Sequence, residues 1–443
     1  MAWLDRIFGR SQKAIGAITQ LVGMAEPNWM ERSPRAYAKE GYSINVVVYR
    51  CVDIVAKAMG QIPLMIVDPE GKEVYVSGLT ELLVQPNKHQ GWSSFVATSV
   101  AWRLITGTSY LEAVKDGASV PRELIAWSPF CIRPVVVKNE RSCRSILRGW
   151  KYEDGGDRTF WERDPITGQA DLLSWRTFNP MNEYIGMSPL EAAAWSVDQH
   201  NASSEWNKSM LSNAATPSGA LASSGTLTDG QFNRLKEQMN NEQSGPSNAR
   251  NHMILEGGLT WQQFSLSPVD MDWLAGRHGA AAEVAAAYGV PLQVIPLPGE
   301  QTFANYEQAR LSLIEDVVLP LNDDLLDELN RWLVPMFTKK GQHAAPYKIV
   351  PDLDGIPALA ARRREKWDTV SGADFLTINE KREAVGYDPV PEAEADQIWV
   401  PAGKLPLNLD VTMTEEQMVQ QMLPIHGEAK ARQVAAEILA RGD

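Results

Sequence analysis

The chain has 443 residues, 44% of them hydrophobic and 22% charged, and a formal net charge of −13. That length exceeds one ordinary core, the composition is neither disordered nor fibrous, and the acidic balance opposes free-standing nucleic-acid binding, which depends on neutralising phosphates. Three cysteines (Cys51, Cys131, Cys143) without a Cys-x-x-Cys pair argue against a disulfide framework or zinc site and fit synthesis in a reducing cytoplasm.

No apolar run approaches the ~20 residues that span a bilayer, so no membrane association is expected. Arg6, Arg10 and Lys13 ahead of residues 14–25 mimic a secretion signal, but Asp5, Thr19 and Gln20 interrupt it. Residues 1–25 therefore read as a short amphipathic arm.

Residues 44–68 run from a helix into a strand: Tyr49, Val52, Ile54, Val55 and Met59 recur at near-helical spacing, and Gly60 ends the pattern. The pattern predicts a strand over 63–67, a turn at 68–71, a helix over 93–106 closed by Gly107, and a strand over 110–114. Short strands between turns follow, at 132–137, 150–153 and 172–175. After Pro189 a proline- and glycine-free stretch, 190–211, predicts a helix of about five turns. A compact insert comes next. It has a strand at 219–221, a helix at 228–242 with Phe232, Leu235 and Met239 on one face, and a closing hairpin formed by 253–255 and 261–266. Residues 270–288 are helical again, so two helices bracket a small domain.

Residues 291–302 carry three prolines and break the helix. A long helix over 303–334 follows, with Leu311, Ile314, Val318, Leu321, Leu325, Leu329 and Trp332 on one stripe. Pro320 predicts a kink near 316–320. Residues 344–351 form a strand, and 356 onward is helical, with Pro357 in a first turn. Thr377-Ile378-Asn379-Glu380 has capping-box spacing. Residues 388–396 read as a linker or surface loop, and 415–441 as helix-forming.

No phosphate-binding loop, Gly-x-Gly-x-x-Gly, His-Glu-x-x-His or Gly-x-Ser-x-Gly occurs, and no two of the six histidines lie three to five residues apart. No catalytic residue, metal site or cofactor is expected. Asp352-Leu353-Asp354-Gly355 reads as a helix start with Asp354 near the cap, not as a calcium loop. Asp323, Asp324, Asp327 and Glu328 read as a solvated or interface face, and Arg362, Arg363 and Arg364 as a mixed-charge helix surface. Trp92, Trp102, Trp127, Trp150 and Trp175 fall in helix or strand patterns and read as core.

Several stretches, in order, resemble the portal (head–tail connector) family of tailed bacteriophages. They are Tyr49 to Ala56 with Gln61-Ile62-Pro63-Leu64; Leu82-Leu83-Val84-Gln85-Pro86-Asn87; Gly107-Thr108-Ser109-Tyr110, which departs from the family's Gly-Asn-Ala-Tyr; and Phe178-Asn179-Pro180 with Gly186-Met187-Ser188-Pro189-Leu190. Tyr288-Gly289-Val290-Pro291, Asn305-Tyr306-Glu307-Gln308 and Leu376-Thr377-Ile378-Asn379-Glu380 with Arg382 and Gly386 complete the series.

The resemblance implies an α+β portal fold with a mixed wing (26–189), stem helices (190–213 and 269–290), a small clip (214–268) and a tunnel loop (291–303). A long kinked helix with its return to the wing (304–356) and a helical crown and tail (357–443) follow. It implies a non-enzymatic subunit of a ring, typically twelve-fold, at one capsid vertex of a virion. Its implied partners are double-stranded DNA passing non-specifically, the terminase large subunit, the major capsid and scaffold proteins, and a head–tail adaptor. The expected DNA-facing residues are Ile295, Pro296, Leu297, Pro298, Gly299, Glu300, Gln301 and Thr302. Those expected to dock terminase and adaptors are Asp229, Gln231, Arg234, Lys236, Glu237 and Asn240. A minor capsid or adaptor protein without a channel, and a cryptic nuclease or maturation protease, stand as alternatives.

Overall fold

The structure, a computed structural model, describes residues 30–117, 120–138, 145–154, 159–212, 219–223, 259–263, 273–295, 303–338 and 347–400, with isolated positions in 228–237 and 405–433. Contacts divide the chain into two units, Met1–Gly355 and Ile356–Asp443.

Helix α1 (Val46–Gly60) starts at Asn45, whose side-chain oxygen accepts from the Val47 and Val48 amides at 3.0 and 3.2 Å. Its face of Val48, Cys51, Val52, Val55 and Met59 is fully buried. Strand β1 (Leu64–Val67) and helix α2 (Leu79–Val84) lead to α3 (Trp92–Thr106), which packs on α1. Helices α1 and α3 and strand β1 match the sequence expectation to within two residues, because their apolar periodicity is strong, whereas α2 was not expected. The tryptophans divide: Trp150 and Trp175 are buried, whereas Trp92, Trp102 and Trp127 are only half-buried.

Gly107 ends α3 in the left-handed region (φ 79°). A Cβ there would lie 2.4 Å from the Gly186 carbonyl oxygen, and one on Gly186 would lie 1.9 Å from that of Gly107. Two backbones touch here, and only glycine admits it. The corner is stitched by the Thr177 hydroxyl donating to Gly107 O (3.0 Å), the Gly186 amide to Thr108 Oγ1 (2.8 Å) and the Ser188 hydroxyl to Leu104 O (2.8 Å).

Strand β2 (Thr108–Lys115) lies between β3 (Pro121–Trp127) and β7 (Leu172–Arg176), antiparallel to both. Strands β4 (Ile132–Lys138), β5 (Ser145–Tyr152) and β6 (Phe160–Glu162) form a second antiparallel sheet. Tyr110, Ile132, Trp150, Trp161 and Leu172 join the sheets in one core. At its margin the Glu112 carboxylate accepts from the Trp127 and Trp161 indoles at 2.7 and 2.8 Å, so both tryptophans enter the core with their N–H groups satisfied.

Ser188 caps a turn at Pro189–Ala192, Ala193 interrupts it, and α4 (Ala194–Ser212) follows. The first stem helix is thus broken near its start. Strands β8 (Gly219–Ser223) and β9 (Leu259–Gln263) pair antiparallel. Strand β9 thus pairs with 219–223; the expected hairpin partner, 253–255, lies outside the described residues. Helix α5 (Trp273–Ala287) packs on α4.

The long helix is α6 (Phe303–Ser312), a π-helical segment (Leu313–Val318) and α7 (Leu319–Trp332). Pro320 offers no N–H to the Asp316 carbonyl, and the ladder widens to i→i+5 where the kink was expected. The stripe is buried at Val318, Leu325, Leu329 and Trp332. Strand β10 (Lys348–Pro351) pairs with β1. Asp352, not Asp354, makes the next turn: its Oδ1 accepts from the Asp354 and Gly355 amides at 3.0 and 3.1 Å.

In the second unit a 3₁₀ turn (Pro357–Leu359) precedes α8 (Ala360–Ser371), which packs on α9 (Ile378–Ala384). The capping box is present, with Glu380 Oε2 accepting from the Thr377 amide at 2.8 Å and Thr377 Oγ1 from the Glu380 amide at 3.1 Å. Buried Asn379 bonds Val390 on both sides of its amide, and Asp396 at 2.6 Å. The stretch read as a linker is thereby tied to α9.

One charged contact crosses the first unit. Arg103 on α3 is 8% exposed; its guanidinium lies over the Trp175 ring at 4.1 Å and donates to Asp324 Oδ2 on α7 at 2.6 Å. The Trp175 indole donates to the same oxygen at 3.1 Å. Asp324 is therefore not part of a merely solvated face. Burial holds the Arg103 pKa below its usual value, and Asp324 works against that shift. Removing the carboxylate strands a buried cation. Asp324→Ala is expected to cost about 2 kcal/mol, less than a fully buried pair because Asp324 is half exposed. Arg103→Met added to it should recover more than half of that loss in a urea-unfolding double-mutant cycle.

Candidate functional site

The residues expected to face DNA follow α5. Tyr288 is buried, and its hydroxyl donates to Leu104 O at 3.4 Å. Gly289 turns the chain at φ 67°, and a 3₁₀ turn (Leu292–Val294) follows. Val290, Val294 and Ile295 are buried. At 3% exposure Ile295 is a core anchor for the start of the loop and not a residue reaching out of it, since an apolar side chain gains most by leaving water. Helix α6 packs on the 292–294 turn, so the two ends of the intervening segment meet. Pro296, Leu297, Pro298, Gly299, Glu300, Gln301 and Thr302 lie outside the described residues.

Of the docking candidates, Gln231, Arg234 and Glu237 are exposed helical positions three residues apart, hence on one face. Gln231 accepts from both the amide and the hydroxyl of Thr228 at 3.0 and 2.9 Å. Asp229, Lys236 and Asn240 lie outside the described residues. The pairing of β8 with β9 closes the base of the insert, setting it off from α4 and α5.

The sequence reading missed the joint that carries these helices. Asn45 Oδ1 is occupied by two backbone amides of α1, so its Nδ2 faces outward as a donor. It reaches Asn201 Oδ1 at 2.9 Å and His200 Nδ1 at 3.2 Å, both on α4. Asn201 passes the chain on to Glu40 O at 3.0 Å. From α5, Arg277 Nε lies 3.5 Å from His200 Nε2, and Glu283 Oε2 accepts from Ser196 on α4 at 2.5 Å. The Met30 amide donates to Asp198 Oδ1 at 3.1 Å. One buried polar cluster thus joins the cap of α1 to both stem helices. Runs of isolated polar residues inside a helix were its only sequence signal.

His200 is 4% exposed, with the Asn45 amide nitrogen at Nδ1 and Arg277 Nε at Nε2; neutral imidazole accepts at one of them, and a second proton would set a proton against a donor on both sides. Burial first, and Arg277 second, hold its pKa below the ordinary imidazole value. Among the described residues no three His, Cys, Asp or Glu side chains gather as a metal site, and no helix is long and apolar enough to cross a membrane.

Comparison with known proteins gives a consistent result. The sequence model of the family described as phage portal protein matches residues 46–386. A protein of Rickettsia bellii is 34% identical over 360 residues, covering 80% of this chain and 90% of that one. The portal protein of Enterobacteria phage HK97 is 23% identical, covering 78% and 79%. Among solved structures, the neck of an empty GTA particle computed with C6 symmetry is similar, with a TM-score of 0.63 and 33% identity over 84% of this chain and 99% of that chain. An HK97-family phage portal protein from Corynebacterium diphtheriae shares the fold at a TM-score of 0.51 and 14% identity, covering 75% and 100%.

A depressed folded pKa means that the unfolded chain takes up the proton more readily. The stability held by neutral His200 is therefore present above the unfolded value of about 6.5 and is lost as pH falls from there toward the folded value. Thermal melts between about pH 7.5 and 5 should show a steeper fall in Tm for the natural protein than for His200→Gln, whose amide oxygen still accepts from Asn45 but does not titrate.

Proposed function

The chain belongs to the phage portal protein family, and from that premise we propose that its copies close into a ring around a channel through which double-stranded DNA enters and leaves a capsid. The family role is structural: a portal, or head–tail connector, of a viral particle. The observation that carries the reading is the match over residues 46–386, which spans both three-stranded sheets, both stem helices and the kinked helix. Support for a ring comes from a relative with 32% identity, the neck of a native GTA particle computed with C12 symmetry.

The chemistry fits a conduit. A motor can drive a duplex only through a wall that does not hold it, and −13 per chain disfavours tight phosphate contacts. We assign residues 296–302 to the channel, where they brush the duplex without reading its sequence. Buried Ile295 and the 292–294 turn anchor them, so force on the loop passes into the core. We assign the insert at 214–268 to docking the terminase large subunit during packaging and a head–tail adaptor afterwards, through the face of Gln231, Arg234 and Glu237. The major capsid and scaffold proteins would surround the ring.

Negative-stain imaging of the purified chain should show closed rings with a central hole; a monomer or small oligomer would sink the portal reading and leave a minor capsid or adaptor role. In particles, Glu300→Lys or deletion of 296–300 should change packaged DNA length or retention while rings still form. Arg234→Glu combined with Glu237→Lys should weaken terminase binding at least tenfold in a pull-down titration with rings intact, and unaltered binding would remove the insert from that role.

A further inference from the structure

Between β7, the start of β5 and the end of α7 lies a groove of about 840 Å³. One wall is the outer edge of β7. The Ala113 amide donates to Asp171 O at 2.9 Å, and the Thr177 amide to Gly107 O at 3.0 Å. In the register that joins Leu173 to Leu111 and Trp175 to Ser109, the odd-numbered residues of β7 therefore turn their backbone groups toward β2. Alternate residues of an antiparallel strand face the other way. Leu172, Ser174 and Arg176 thus direct their N–H and C=O groups away from the sheet, and among the described residues no strand pairs with them. On the same edge the Ala170 carbonyl is already capped by the Trp332 indole at 2.7 Å.

The facing wall has the same character. Strand β6 pairs with Gly149, Trp150 and Lys151 of β5, so, among the described residues, 145–147 have no strand on that side. There the Tyr184 hydroxyl donates to Ser145 O at 2.9 Å. An open strand edge is a template for another strand, and native proteins ordinarily blunt or cover it. The groove also carries a small positive balance within a chain of net negative charge. Arg163, Arg176 and Arg331 line it, against Glu183 and a Glu328 already paired with Arg331.

We propose that this groove receives an extended, acidic peptide segment of a partner protein, which adds as a strand along Ser174 and Arg176 and sets its carboxylates against Arg163 and Arg176. Backbone hydrogen bonds supply the affinity and the guanidinium groups the selectivity, the usual division of labour in strand addition. The net negative charge of the chain disfavours the same peptide on acidic surface and so favours this groove. A nucleic-acid strand has no peptide ladder to offer the edge.

The test uses the full chain and a fluorescein-labelled eight-residue peptide alternating valine and glutamate, followed by fluorescence anisotropy. Saturable binding tighter than about 1 mM is expected. It should weaken at least tenfold for the peptide with lysine in place of glutamate, for the peptide N-methylated along one edge, and for Arg176→Glu, an exposed position whose change spares the core. Ser174→Pro removes the outward-facing N–H, together with the serine hydroxyl opposite Tyr110, and should also abolish binding. The N-methylated peptide carries the same test on the natural protein should that variant fail to fold. Absence of saturable binding, equal binding of the lysine or N-methylated peptide, or unchanged affinity of Arg176→Glu overturns the proposal. So does tighter binding of a single-stranded oligonucleotide. If Arg176→Glu abolishes rings, the groove belongs to a neighbouring copy and the partner assignment is wrong. Rings that form normally but bind no peptide would sink the groove and leave the portal reading intact.

Discussion

The first unit turns on a guanidinium. Arg103 comes from α3, stacks on an indole from β7 and bonds a carboxylate from α7, so three elements far apart in sequence meet at one cation. Burying that charge costs several kcal/mol unless it is paired. The structure therefore cannot let α7 slide along the sheet without losing the partner, and the long helix is held in register at its C-terminal half. The π segment lies just upstream. Irregularity is tolerated where Pro320 forces it, and precision is kept where Asp324 is required.

A second constraint acts at the stem. Helix α5 buries an apolar face of Ala280, Ala281, Val284 and Ala285, but α4 buries Asp198, His200 and Ser203 alongside Ala194 and Val197. Hydrogen bonds with fixed donor and acceptor roles do the specifying. Asn45 is spent as an N-cap through its oxygen, which leaves its amide nitrogen to orient His200 and Asn201. A helix cap is thereby coupled to the placement of both stem helices. Such a joint differs from a purely apolar one in that it resists sliding, because a polar network satisfied in one geometry is costly in any other; under the proposed function, that would suit the passage of force between the insert and the loop.

The two sheets show a related division. Glu112 gathers two indoles and closes the core between them, whereas among the described residues no strand pairs with the outer edge of β7. Closure by side chains leaves the backbone edge free, and the arginines beside it give that edge an electrostatic preference.

Much of the architecture was legible in the amino-acid order. The α1 and α3 periodicities, Gly107 as a stop, the stripe of Val318 to Trp332, the Thr377 capping box and the ordered series of portal-like segments are local signals, and local signals survive in one dimension. The position of the helix disruption was legible too, since proline acts on its own neighbours. What the sequence could not assign were roles that depend on who arrives from elsewhere. Asp324 looked like one acid among several on a solvent face until Arg103 and Trp175 were placed beside it. Ile295 looked like a loop tip until its burial made it an anchor. Asp354 was read as the acid near the cap until the backbone chose Asp352. His200 was an isolated histidine until an asparagine and an arginine closed on its two nitrogens. The sequence by itself determined which segments are helix, strand and turn, and which family they compose, because those follow from short-range sterics and apolar spacing. Only the tertiary structure decided which charges are buried, which edge is open and which polar residues form the joint, because burial and pairing are properties of contacts between distant segments.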